Sequence, residues 1–257
     1  MTGMVALTFY SYLFCSIIAL LAVVYFFLQI PSLKSNYRIL AYMNIGVCGF
    51  SALLHFYYFS TMGSAMPDGL DAHGASSAIS SFPLEVRYFY WLVCTVLLVS
   101  MFPLLIGIEK VGGKFLAKLA IADAGMIICG FFGERSINAA GQMTNAGVIL
   151  FVLGCALWVY MLVIIYRVLQ RLPSSELSPP QRDTLAYMYF FILLAWSIYP
   201  IGYFHVVYFQ ESIGIVLREF TFNLGDIVNK VIWGLMVVTA ARKVSDLEKA
   251  KRSANAH

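Results

Sequence analysis

Apolar residues gather in seven long blocks, at roughly 4–30, 39–62, 86–108, 115–133, 142–169, 184–209 and 217–241, each closed by a short polar break. A membrane-crossing helix needs about 20 predominantly apolar residues, because each adds about 1.5 Å to a span of about 30 Å. The pattern predicts an all-α integral membrane protein, a seven-transmembrane-helix bundle forming one domain, with a short charged tail at 242–257. No basic stretch precedes the first block, so it reads as a retained helix rather than a cleaved signal. Composition leads the same way: with 61% hydrophobic and only 12% charged residues the chain is too apolar for a soluble domain.

Charge then orients the bundle. Thirteen of the 17 basic residues fall in alternate breaks and the tail: Lys34 and Arg38, then Lys110, Lys114 and Lys118, then Arg167, Arg171 and Arg182, then Arg242, Lys243, Lys249, Lys251 and Arg252. By the positive-inside rule that side is cytoplasmic, which puts the N-terminus outside and the C-terminus inside. The net charge of +4 is thus topological and implies no nucleic-acid partner. The five cysteines, Cys15, Cys48, Cys94, Cys129 and Cys155, all lie in apolar blocks and read as small core residues. In the longest break, Pro67-Asp68-Gly69 and His73-Gly74 are turn signals; Asp68, Asp71 and His73 match no metal-ligand spacing, and no metal site is expected.

Polar residues inside the blocks carry the candidate chemistry. The seventh contains Asn223-Leu224-Gly225-Asp226-Ile227-Val228-Asn229-Lys230, in which an acid and a base four residues apart share a helix face. A lysine near mid-bilayer costs about 2.5–3.5 kcal/mol on insertion scales. Snorkelling is a poor explanation, since both ends of the block are about 15 Å away. The sharper reading is that Lys230 forms a Schiff base and that Asp226 is its counter-ion. Glu219, two turns outside Asp226 on that face, is a candidate proton-exit group.

The second block places Asn44, Cys48, Ser51 and His55 on one stripe, where His55 reads equally as an inter-helix hydrogen-bonding residue and as a proton carrier. In the third, Arg87, Tyr90, Trp91, Cys94, Thr95, Leu98 and Met101 follow one face, and Arg87 is expected to pair with Asp226. Asp123, with Met126 and Gly130 on its face of the fourth block, is expected to be hydrogen-bonded and neutral. Trp196, Tyr199, Pro200 and Tyr203 in the sixth make an aromatic wall beside a kinking proline, suited to a flat conjugated ligand. The first block reads as a lipid-facing wall without chemistry, and 170–183 as a flexible loop.

At these residues the chain resembles the microbial rhodopsins, and within them the proteorhodopsins. The likeness rests on Arg87-Tyr88-Phe89-Tyr90-Trp91-Leu92, on Gly154-Cys155 with Trp158-Val159-Tyr160-Met161, on Trp196-Ser197-Ile198-Tyr199-Pro200-Ile201-Gly202-Tyr203-Phe204, on His55 and on the octet ending at Lys230. It implies all-trans retinal linked to Lys230 between Trp91 and the Trp196, Tyr199 and Tyr203 wall. Thr95, Leu98, Met126, Gly130 and Pro200 would complete its site, with Leu98 at a colour-tuning position. It further implies proton transport across the lipid bilayer of a bacterial inner (plasma) membrane, a homo-oligomer, and no enzymatic activity. Two positions depart from the family pattern. Tyr90 stands where the third-helix motif carries its aspartate, and Met101 where pumps keep a cytoplasmic carboxylate. With Cys94 between them, this pattern most resembles a subgroup called mirror proteorhodopsins, whose counter-ion lies on the seventh helix and which is regarded as pumping protons outward in acid.

The leading expectation is an outward light-driven proton pump working at acidic pH. In it the proton passes to Asp226 or, through Tyr90 or water, to His55, and leaves past Arg87 and Glu219. The rivals are an inward light-driven proton pump, since the third-helix acceptor is missing, and a photosensor that moves no ions.

Overall fold

The computed structural model describes residues 2–64, 79, 83–137, 142–209 and 211–255. The turn signals at Pro67, Asp68, Gly69, Asp71, His73 and Gly74 lie outside these residues. Among the described residues seven helices are long and apolar enough to cross a membrane: Gly3–Ser32, Ser35–Ser64, Leu84–Ile106, Gly113–Arg135, Asn145–Arg171, Pro179–Phe209 and Ile213–Ala254. The first two of these include short 3-10 turns at Ile30–Ser32 and Ser35–Tyr37. Each helix packs on the next, and the seventh closes back on the first. The third and seventh are central, with 67% and 61% of their apolar windows buried against 22–28% for the first, fourth, fifth and sixth. Arg87 on the third helix and Asn223, Asp226 and Lys230 on the seventh are accordingly buried.

Three local features set the geometry. The sixth helix breaks between Pro179–Leu194 and Ile198–Phe209. Pro200 has no N–H to offer the carbonyl of Trp196, and that carbonyl instead accepts from Tyr199 N at 3.2 Å. The seventh helix carries a π-helical turn at Ile227–Ile232 that includes Lys230, an irregularity of a kind found often at functional sites. The third helix stops at Ile106, where Gly107 takes φ +106°, a backbone conformation that favours glycine.

One expectation is corrected on the basic-rich face. The segment 170–183 is less of a loop than its prolines suggested. Pro179 starts a helix, where its missing N–H is harmless, and Ser178 with Gln181 forms a capping box. Gln181 Nε2 then reaches Tyr37 Oη (3.1 Å) and the carbonyl of Leu105 (2.8 Å), satisfying an acceptor left free by the end of the third helix. The charged tail also stays helical to Ala254, tied back by Lys34 to Glu248 at 2.5 Å.

Candidate functional site

Lys230 and Asp226 meet at the centre of the bundle. Both are buried, and their side chains form a hydrogen-bonded ion pair. The two oxygens of Asp226 have different surroundings. Oδ1 accepts from Lys230 and also from Trp91 Nε1 and Tyr199 Oη, each at 3.2 Å. Oδ2 has no hydrogen-bond partner and faces His55 Nε2 at 3.5 Å. His55 Nδ1 lies 2.8 Å from the carbonyl of Ser51, which can only accept, so Nδ1 carries a proton. Nε2 of a neutral His55 is then a lone pair aimed at a carboxylate, and one proton between them would satisfy both atoms. Tyr90 lies beneath, its ring 4.6 Å from Lys230 Nζ.

Beside this centre is a cavity of about 100 Å³ with an almost wholly apolar lining. Trp91, Thr95, Met126, Gly130, Trp196, Tyr199, Pro200 and Tyr203, all named from sequence, line it. So do Tyr88, Ile127, Leu150, Phe151, Gly154, Cys155, Trp158 and Phe222. Leu98, like Lys230, is buried in the core and is not among the residues lining the cavity. Trp91 and Tyr199, 4.9 Å apart between ring centroids, touch the cavity on one side and Asp226 on the other, so the amine sits one carboxylate from it. The indole nitrogen of Trp196 and the hydroxyl of Tyr203 are buried without partners. Asp123, on the far side, bonds Thr95 Oγ1 through Oδ2 at 2.6 Å, the hydrogen-bonded arrangement its sequence context suggested.

Gly202 admits Phe222 against the sixth helix; a Cβ there would lie 2.8 Å from Phe222 Cδ1. Phe222 is wedged on Trp91 at 4.8 Å and cannot easily give way. Gly202→Ala is therefore expected to cost about 1–3 kcal/mol. It should lower the thermal unfolding midpoint in detergent, whereas an unchanged midpoint would show that the ring moves freely.

One sequence expectation fails. Arg87 pairs with Glu219, its Nη2 2.5 Å from Oε2, and not with Asp226. The reason is local: Glu219 lies closer to the arginine's end of the bundle, while Asp226 is occupied by Lys230, Trp91 and Tyr199. Arg87 also reaches Asn223 Oδ1 at 3.4 Å and lies over the rings of Tyr58, Trp91 and Phe222 at 5.2–5.8 Å. Around Glu219 is a network that sequence reading missed. Arg218 bridges Glu219, at 2.9 Å, to Glu134, and Tyr88 Oη donates to Glu134 at 2.7 Å. Glu134 ends the fourth helix next to Arg135, a place that reads as surface, yet it is buried. The first helix contributes too, through Tyr12, whose hydroxyl donates to Glu219 Oε2 at 2.6 Å.

Residues 6–244 match the family described as "Bacteriorhodopsin-like protein". The chain is a microbial rhodopsin. It is 26% identical over 229 residues, 88% of this chain and 82% of the relative, to the blue-light absorbing proteorhodopsin of Gamma-proteobacterium Hot 75m4. Against the green-light absorbing proteorhodopsin of Gamma-proteobacterium EBAC31A08 it is 30% identical over 164 residues, spanning 63% of each chain. The crystal structure of Exiguobacterium sibiricum rhodopsin superposes with a TM-score of 0.78 and 32% identity, covering 93% of this chain and 98% of that one. Rhodopsins of this family bind retinal and are light-driven transporters or sensors, not enzymes; seven spans and bacterial proteorhodopsin relatives are consistent with a multi-pass protein of a bacterial plasma membrane.

Proposed function

We propose that this rhodopsin is a light-driven outward proton pump, working in acid, with retinal on Lys230 and Asp226 as the counter-ion. The fit of the residues to retinal supports the first part: an apolar, aromatic-walled cavity lies beside the amine of Lys230, the one lysine among the described residues that is buried. Lys230 Nζ would hold retinal as an imine, and the chemistry retinal would supply there is a light-driven isomerisation.

The residues do the rest. Asp226 holds the cation through Oδ1, and Trp91 and Tyr199 keep that oxygen in place. A buried cation without an opposite charge would cost several kcal/mol. Tyr90 offers no charge, so Asp226 carries this role alone on the inner side of Arg87. The observation that bears most on direction is the unpartnered Oδ2 facing His55 Nε2. A proton leaving Lys230 Nζ for Nε2 moves from one side of Asp226 to the other, and the carboxylate faces a cation before and after. From His55 it leaves by Glu219, next to Arg87. With the N-terminus outside, as the arginines and lysines suggest, that end is extracellular. Met101, buried where a cytoplasmic donor would sit, cannot return a proton, so recovery is slow and depends on proton concentration in the cytoplasm.

Light-induced pH change in cell suspensions, measured from acid to neutral, tests the reading. Acidification of the medium that a protonophore abolishes is expected. Alkalinisation would make the pump inward, and a coloured protein that moves no protons would make it a photosensor. His55→Ala should keep the visible band, since the Lys230–Asp226 pair is intact, and lower transport by about 100-fold or more, the usual scale for loss of a positioned acid–base group.

A further inference from the structure

We propose that Tyr12, on the first helix, is the relay that hands the outgoing proton to Glu219; this rests on the outward path proposed above. The first helix is mostly exposed to lipid, but one of its faces is not. Thr8, Ser11, Tyr12 and Cys15 follow helical spacing and all bond the seventh helix. Thr8 Oγ1 donates to the carbonyl of Val216 (3.3 Å), Ser11 Oγ accepts from Asn223 Nδ2 (2.8 Å), and Cys15 Sγ reaches the carbonyl of Asn223 (3.3 Å). These clamps hold the fully buried Tyr12 with its hydroxyl 2.6 Å from Glu219 Oε2 and its ring 6.2 Å from that of His55.

Chemistry singles it out. Among the described residues, the side chains that hydrogen-bond Glu219 are Tyr12, Arg87 and Arg218. A guanidinium has no acceptor and does not lose its proton in proteins. The phenol both donates and accepts, so it alone of the three can pass a proton on and take one back. Tyr12 Oη is not hydrogen-bonded to His55 Nε2, so one water carries the transfer: the N–H bond at His55 Nε2 breaks as that water accepts its proton, and the water gives up a proton of its own as an O–H bond forms at Tyr12 Oη. The proton already on that oxygen goes to Glu219 Oε2. Tyr12 is neutral before and after, and no oxidant or reductant is involved.

Tyr12→Phe keeps the ring and removes the hydroxyl. It is expected to leave the dark visible band and the flash-induced deprotonation at Lys230 unchanged, while a pH-indicating dye reports release to the medium about tenfold later or more. In the dark protein, the carbon-13 resonance of the Tyr12 Cζ should move on Glu219→Gln, reporting the phenol–carboxylate bond independently of pumping. Should Tyr12→Phe give no pigment, 3,5-difluorotyrosine at position 12 keeps the hydroxyl and makes it more acidic, and should alter the release rate. Release in Tyr12→Phe with wild-type timing, or a rate indifferent to the fluorinated residue, overturns the relay. A wild type that moves no protons in light overturns the pump reading itself.

Discussion

Lys230→Ala protein, supplied with retinal, is expected to show no visible absorption band at all. The substitution removes the one amine buried at the centre of the bundle, and a non-covalent retinal in the cavity would lack the imine charge that carries absorption into the visible. Borohydride reduction of the illuminated wild type followed by peptide mapping should place the label on Lys230, and a label elsewhere would end the assignment. A second consequence concerns stability. Asp226 loses its cation but stays buried, and breaking a buried pair on one side typically costs about 3–5 kcal/mol. Lys230→Ala should therefore unfold at a lower temperature than the retinal-free wild type. Adding Asp226→Asn should recover much of the loss, because the amide still accepts from Trp91 and Tyr199 and no charge is stranded. If the double variant is as unstable as the single one, the pair does not hold the bundle's centre in the way its geometry suggests.

How far the sequence reached depended on distance along the chain. Features repeating within one helix were legible: seven apolar blocks, the Asp226 and Lys230 pair four residues apart, the Trp196, Tyr199 and Tyr203 wall, and the proline-broken sixth helix. Bilayer thickness and helical period force such patterns into local sequence. Partners between helices were not legible. Arg87 was expected at Asp226 because that acid was visible at the right depth, but the bundle places Glu219 in reach. Glu134 reads as an ordinary charged end of the fourth helix; only the approach of Arg218 and Tyr88 makes it part of a buried network. The first helix reads as a lipid-facing wall because it carries no charge and mostly aromatic and aliphatic side chains, yet it also holds a few hydroxyls and a thiol. Their spacing at Thr8, Ser11, Tyr12 and Cys15 was the available signal, a polar stripe on an otherwise lipid-compatible helix.

Asp226→Asn separates the counter-ion role from everything else at the site. The amide has nearly the shape of the carboxylate, so Trp91, Tyr199 and the cavity should be undisturbed, and what changes is a single buried negative charge. Arg87 cannot be recruited as a substitute, being itself a cation held by Glu219, and Tyr90 is a neutral phenol whose ring faces Lys230 Nζ. The imine nitrogen in the variant should therefore keep its proton only in acid, and near neutral pH the visible band should give way to one at shorter wavelength. Transport should fall by about 100-fold or more, because a proton arriving at His55 Nε2 would no longer face an anion. The contrast with His55→Ala is what makes the pair of variants informative. That change leaves Oδ1 with its three donors and should preserve colour while removing transport. If Asp226→Asn leaves both the colour and its dependence on pH untouched, the charge that neutralises Lys230 lies elsewhere, and the path from Lys230 through His55 and Tyr12 to Glu219 loses its starting point.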